Sequence, residues 1–170
     1  MNGKRIKGEG MAELIVCARK EVPFHILPGK KYDIIAFYDE AWDRVQCPPG
    51  SLGRLLELHI ADVLLPGDPK SMDNAAALRI KVFADEAMKN ADALIVCCAA
   101  GMSRSPAVAA AVMRGSGLDD GCIWDDARYS PNPLCYEMVL NAYGIAPDNL
   151  DALKERSRLA RYNKINDFRF

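Results

Sequence analysis

Residues 93–115 read ALIVCCAAGMSRSPAVAAAVMRG. Ala93 to Cys97 is continuously apolar, as a strand covered on both faces at the centre of a parallel sheet requires. Ser105 to Arg114 is an alanine-rich helix, with Pro106 where a first turn tolerates a missing N–H and Gly115 where the helix stops. Between them lies Cys98-Ala-Ala-Gly-Met-Ser-Arg104-Ser105. A strand turning tightly into a helix N-terminus aims several backbone N–H groups at one spot, and the helix dipole adds partial positive charge there. The segment therefore predicts an α/β fold with an anion site at a strand–helix junction.

The flanking chain supplies matching elements. Leu14 to Ala18 and Tyr32 to Tyr38 are short, rich in β-branched or aromatic residues, and bounded by charge, Pro or Gly. Leu56, Leu58 and Ile60 alternate with Glu57 and His59, which predicts a strand with one buried face. From Asp73 to Asn90 the apolar residues Ala76, Ile80, Phe83, Ala84 and Ala87 recur at helical spacing, with Asp73 placed to cap the N-terminus. Leu134 to Tyr143 and Asp148 to Tyr162 read as two further helices. Together these give an α/β domain: a central, mostly parallel sheet of about four strands flanked by helices. Residues 1–10 are basic, lack the apolar stretch of a signal peptide and read as a disordered lead-in, with Met11 as a second start and residues 11–170 as the domain.

Composition excludes some function classes. Of 170 residues, 22 are basic and 23 acidic, a net charge of −1 that argues against nucleic acid or an anionic membrane as partner. No apolar run is long enough to span a bilayer, and a cytoplasmic protein is the default. The six cysteines, Cys17, Cys47, Cys97, Cys98, Cys122 and Cys135, form no Cys-x-x-Cys pair, so they read as free thiols rather than disulfides or zinc ligands.

The chemistry concentrates between Cys98 and Ser105. Gly101 gives the turn its freedom, and small Ala99 and Ala100 let backbone approach a ligand. Arg104 can grip two phosphate oxygens with its guanidinium fork. A surface arginine at the positive end of a helix dipole is otherwise poorly placed. Cys98 alone would pass as a buried strand-end cysteine. With Gly101, Arg104 and Ser105 in place it is better read as a thiolate stabilised by the dipole and the cation, facing a bound phosphate. The Ser105 hydroxyl is placed to donate to the departing sulfur.

This Cys-x5-Arg-Ser pattern, written CAAGMSRS after LIVC, resembles the signature of the protein tyrosine and dual-specificity phosphatases. Ser130-Pro131-Asn132 resembles a second element of the dual-specificity branch, in which the Asn supports the phosphate loop; as a simpler reading, Asn132 caps the following helix. The resemblance covers roughly Leu56 to Tyr143. It implies a phosphatase-like domain in which residues 99–104 (Ala99, Ala100, Gly101, Met102, Ser103 and Arg104) cradle the phosphoryl group. It further implies that Cys98 forms a phosphocysteine, that an aspartate protonates the leaving oxygen and later activates water, and that no metal or other cofactor is needed. Asp62, directly past the Leu56–Ile60 strand, is the preferred acid; Asp68, 30 residues before Cys98, is the alternative, because strand register is harder to change than loop length.

One departure stands out. The family usually has His before the cysteine, and here the residue is Cys97, a weak thiol donor. The expectation is a working but less finely tuned nucleophile. A redox-sensitive site with Cys17 as the resolving thiol is a further expectation, Cys97 being excluded by the strain of a vicinal disulfide. The uncharged Ala99, Ala100 and Met102 favour phosphoprotein over polyanionic lipid. The expected substrate is a protein or peptide carrying phosphotyrosine, with phosphoserine and phosphothreonine left open. A phosphate-binding module without turnover and a sulfur-transfer or arsenate-reducing enzyme are the alternatives. His59 and His25 read as structural, Trp42 and Trp124 as packing residues, and Lys154 to Arg161 as a solvated helix face.

Overall fold

The computed structural model describes residues 3–39, 44–147 and 149–167. Five strands, β1 (Lys4–Lys7), β2 (Glu13–Ala18), β3 (Tyr32–Phe37), β4 (Leu52–Leu58) and β5 (Ala93–Cys98), form one sheet in the order β1-β2-β5-β3-β4. β5 pairs in parallel with both β2 and β3, β4 continues the parallel set, and only β1 runs antiparallel. Every residue of β5 is buried, as its unbroken apolar sequence requires.

Burial on the two sheet faces is unequal. One face carries α2 (Asn74–Asn90), α3 (Arg104–Gly115), α4 (Gly121–Trp124) and α5 (Pro133–Ala142), with α6 (Leu150–Asp167) packed on α4. The other face, with Ile15, Ile34 and Ile95, is covered by Val22 of the short α1 (Val22–His25), by Ile26, and by Val45 and Cys47 from the loop before β4. Helices therefore flank the sheet very unevenly. α3 is buried from Arg104 to Met113, and its run of alanines, Ala109 to Ala111, helps it lie between β5 and α5. Asp73 caps α2, its carboxylate accepting from the Ala76 N–H at 2.7 Å.

The expected four strands become five because residues 4–7, read as part of a disordered lead-in, pair with residues 13–16. Lys4-Arg5-Ile6-Lys7 offers one apolar residue, too few for a periodic signal. Its cations secure the edge instead: Lys4 Nζ reaches Asp126 Oδ2 at 3.0 Å and the Cys122 carbonyl at 2.6 Å, and Arg5 donates to the His25 carbonyl at 2.9 Å. His59 is exposed, with its ring 5.6 Å from that of Tyr38. His25 is buried and Trp124 is fully buried, its indole N–H donating to Asp120; Trp42 and Asp148 lie outside the described residues. No helix among the described residues is long and apolar enough to cross a membrane.

Candidate active site

The carboxyl ends of parallel strands open onto a common edge, and ligands of open α/β sheets bind there. Cys98 ends β5, Asp39 lies just past β3, Asp62 just past β4, and Ala18 ends β2. Cys98 is 2% exposed, and its Sγ lies 3.2 Å from the Ser105 Oγ in the first turn of α3.

The loop between them is held by backbone contacts. Gly101 has φ +69°, and a Cβ there would lie 2.4 Å from the Ala18 nitrogen and 2.6 Å from the Cys17 carbonyl carbon. Both facts demand glycine: the left-handed conformation strains other residues, and the end of β2 leaves no room. Gly101→Ala is expected to destabilise the fold by about 1–3 kcal/mol from backbone strain alone. Thermal unfolding would read this, and an unchanged Tm would contradict the tight packing. On the far side, Ser130 N–H donates to the Met102 carbonyl at 2.8 Å and Asn132 N–H to the Ser103 carbonyl at 3.2 Å. Ala99, Ala100 and Met102 are exposed.

Ser103 occupies the N-cap position of α3 but makes no side-chain cap. Its hydroxyl donates to Asp62 Oδ1 at 2.8 Å, leaving the first-turn N–H groups uncapped by a side chain. The Asn132 amide donates to the same Asp62 oxygen at 2.7 Å and to the Val63 carbonyl at 3.1 Å. The Asn132 side-chain oxygen accepts the Cys135 N–H at 3.0 Å, so the residue caps α5 as well. Asn132 thus supports the phosphate loop through its backbone and Asp62 through its side chain. Asp62 Oδ2 makes no hydrogen bond among the described residues. Asp68 is used locally: its Oδ1 accepts the Lys70 N–H at 2.8 Å, and its carbonyl accepts Ser71 N–H and Oγ at 2.9 and 2.8 Å. The structure brings Asp62, not Asp68, to the loop.

Arg104 is 4% exposed and firmly held. Nη1 donates to Asp39 Oδ1 at 2.9 Å and to the Ile60 carbonyl at 2.6 Å, and Nη2 donates to Asp39 Oδ2 at 2.8 Å. Burial opposes its charge, but the hydrogen bonds to Asp39 and the nearby Cys98 and Asp62 outweigh that and leave its pKa above the ordinary value. Nε is buried and donates to nothing among the described residues. An unpartnered donor in a buried cation is costly, and an anion in the loop would satisfy it. Sequence reasoning missed Asp39; its one available signal was an acidic residue immediately after a parallel strand.

The other thiols fall into place by sheet face. Cys97 and Cys98 alternate, so Cys97 packs on the far face, level with Cys17 on β2 and Ala36 on β3. Burial pushes the Cys97 thiol well up and Cys17 up to about 12, so both behave as small apolar groups. Cys17 therefore lies beside Cys97 and across the sheet from Cys98, which removes it as the resolving partner expected from sequence. Cys135, on the same face as Cys98, is pushed up to about 12 by burial first and by Asp62 second.

No protein-family model and no curated protein matches the chain. In three dimensions it is similar to the solved structure of a human tyrosine phosphatase-like serine/threonine/tyrosine-interacting protein, with a TM-score of 0.50 and 19% identity over 95% of this chain and 96% of that one. The fold is phosphatase-like. At this identity the likeness speaks for architecture alone: a five-stranded, mostly parallel sheet with its helical layer, in a single domain.

Proposed function

We propose that this protein is a cysteine-dependent phosphatase that hydrolyses phosphotyrosine in phosphorylated proteins or peptides, with phosphoserine and phosphothreonine left open. The observation that carries the reading is the convergence of Cys98, Ser105, Arg104 and Asp62 on one loop at an uncapped helix N-terminus. The Cys98 thiolate attacks phosphorus in line with the leaving oxygen, which takes a proton from Asp62. Loop N–H groups and the Arg104 guanidinium offset the charge that develops, so neither metal nor other cofactor is called for. Water, deprotonated by Asp62, then cleaves the phosphocysteine, and Ser105 donates to the departing sulfur at its present 3.2 Å contact. Uncharged Ala99, Ala100 and Met102 suit a phosphoprotein better than a polyanionic lipid. Six free thiols suit a reducing compartment such as the cytoplasm.

A second reading has its own support: a phosphopeptide-binding module without turnover. Asp39 occupies both terminal nitrogens of Arg104, and the structurally similar human protein is named as phosphatase-like and interacting. Hydrolysis of an aryl phosphate across pH decides between the two. Turnover supports the enzyme; inactivity with retained phosphopeptide binding supports the module.

Asp39 has a distinct expected effect. Its side chain is 44% exposed against 5% for that of Arg104, so Asp39 is the partner free to yield to an incoming phosphate. Asp39→Asn removes the competing charge and should tighten inorganic phosphate binding by up to about fivefold, the worth of a partly exposed ion pair. Calorimetric titration would read it; weaker binding would instead make Asp39 a support that Arg104 needs.

A further inference from the structure

The basic stretch of α6 is more than a solvated face. Lys154, Arg158 and Arg161 follow at i+4 and i+3 spacing along one side of the helix. They line a groove of about 650 Å³ together with Leu64, Asp62 and Ser103. Asp62 and Ser103 are the hydrogen-bonded pair that joins the candidate acid to the Cys98–Arg104 loop. Three cations and one carboxylate therefore line a groove that shares two residues with the candidate site.

Those cations are open to exchange. Among the described residues Arg161 donates only to neutral acceptors, the Tyr129 carbonyl at 2.8 Å and Ser157 Oγ at 2.7 Å. Lys154 and Arg158 make i,i+3 pairs with Asp151 and Glu155 at 3.3 and 2.7 Å, with every side chain at least half exposed. Pairs of that kind contribute about 0–1 kcal/mol and yield readily to another carboxylate. Seven helical steps, from Lys154 to Arg161, spread the three charges over about 10 Å, which suits several single charges along a chain better than one dianion. Leu64, 62% exposed, offers apolar contact to an extended peptide. The net charge of −1 and the interspersed Asp151 and Glu155 disfavour a continuous polyanion such as nucleic acid.

We propose that this groove binds Asp or Glu side chains flanking the phosphorylated residue of a polypeptide substrate. The inference rests on the phosphatase reading for the phosphoryl group and on separate residues for the flank. Its test compares three substrates at low salt: an aryl phosphate, a phosphotyrosine peptide with neutral flanks, and the same peptide with glutamates on both sides. The wild type should prefer the acidic peptide by about tenfold in kcat/KM, a preference that fades with added salt. The double variant Lys154→Glu and Arg158→Glu should lose that preference while hydrolysing the aryl phosphate within about twofold of wild type. Equal rates on the two peptides in the wild type would overturn the proposal, as would a variant that keeps the preference. So would a preference for a peptide with a second phosphate over the glutamates. If the wild type does not hydrolyse the aryl phosphate, the phosphatase reading has failed on its own. The same peptides are then compared by fluorescence anisotropy, where tighter binding of the acidic one supports the groove and equal binding overturns it.

Discussion

Cys98→Ser is expected to abolish hydrolysis of an aryl phosphate, lowering turnover by at least about 10^4-fold, the scale seen when a covalent nucleophile is removed. A hydroxyl at this position keeps the contact to Ser105 and leaves the loop N–H groups and Arg104 untouched. Inorganic phosphate should therefore still bind, with an affinity close to that of the wild type by calorimetry. Loss of binding together with turnover would mean that the thiol supports the loop rather than the chemistry. Cys98 is 2% exposed in the core beside α3, but Ser is smaller than Cys and keeps a hydrogen-bonding group, so the fold should survive.

The second large effect belongs to Asp62. Asp62→Asn is expected to lower kcat by about 10^2–10^4-fold, the usual contribution of a positioned acid and base. The substitution keeps Oδ1 as the acceptor for Ser103 Oγ and Asn132 Nδ2, so the geometry of the loop is retained and KM should not rise. Asp68→Asn should leave kcat within about twofold, since its carboxylate serves the turn at Lys70 and touches nothing in the site. The reverse ordering of the two variants would reassign the acid.

Much of this arrangement was legible in the sequence because it is local. The apolar run of β5, the small residues of the loop and the alanine-rich helix are contiguous, and each residue type has a physical reason to stand where it does. The alternation through Leu56, Leu58 and Ile60 likewise put Asp62 at the strand end. The parts that were not legible are long-range. Asp39 meets Arg104 across 65 residues of sequence, and nothing in the spacing of either announces the other. β1 is held by cations reaching Asp126 and Glu13 rather than by an apolar period. Lys154, Arg158 and Arg161 would have the same helical spacing on a bare surface; residues distant in sequence, Leu64 among them, make that face part of a groove. Cys97, which stands where the resembling family has His, packs on the opposite sheet face by the two-residue period of the strand.

The most direct measurement is the state of Cys98 during turnover. Asp62→Asn retains the nucleophile but lacks the base for the second step, and a nitrophenol leaves without needing much protonation, so a covalent species should accumulate. Rapid mixing with nitrophenyl phosphate, acid quench and mass analysis of the peptides should find one phosphoryl group on the peptide carrying Cys98. Release of nitrophenol with that peptide unmodified, or with the label elsewhere, would contradict the phosphocysteine route.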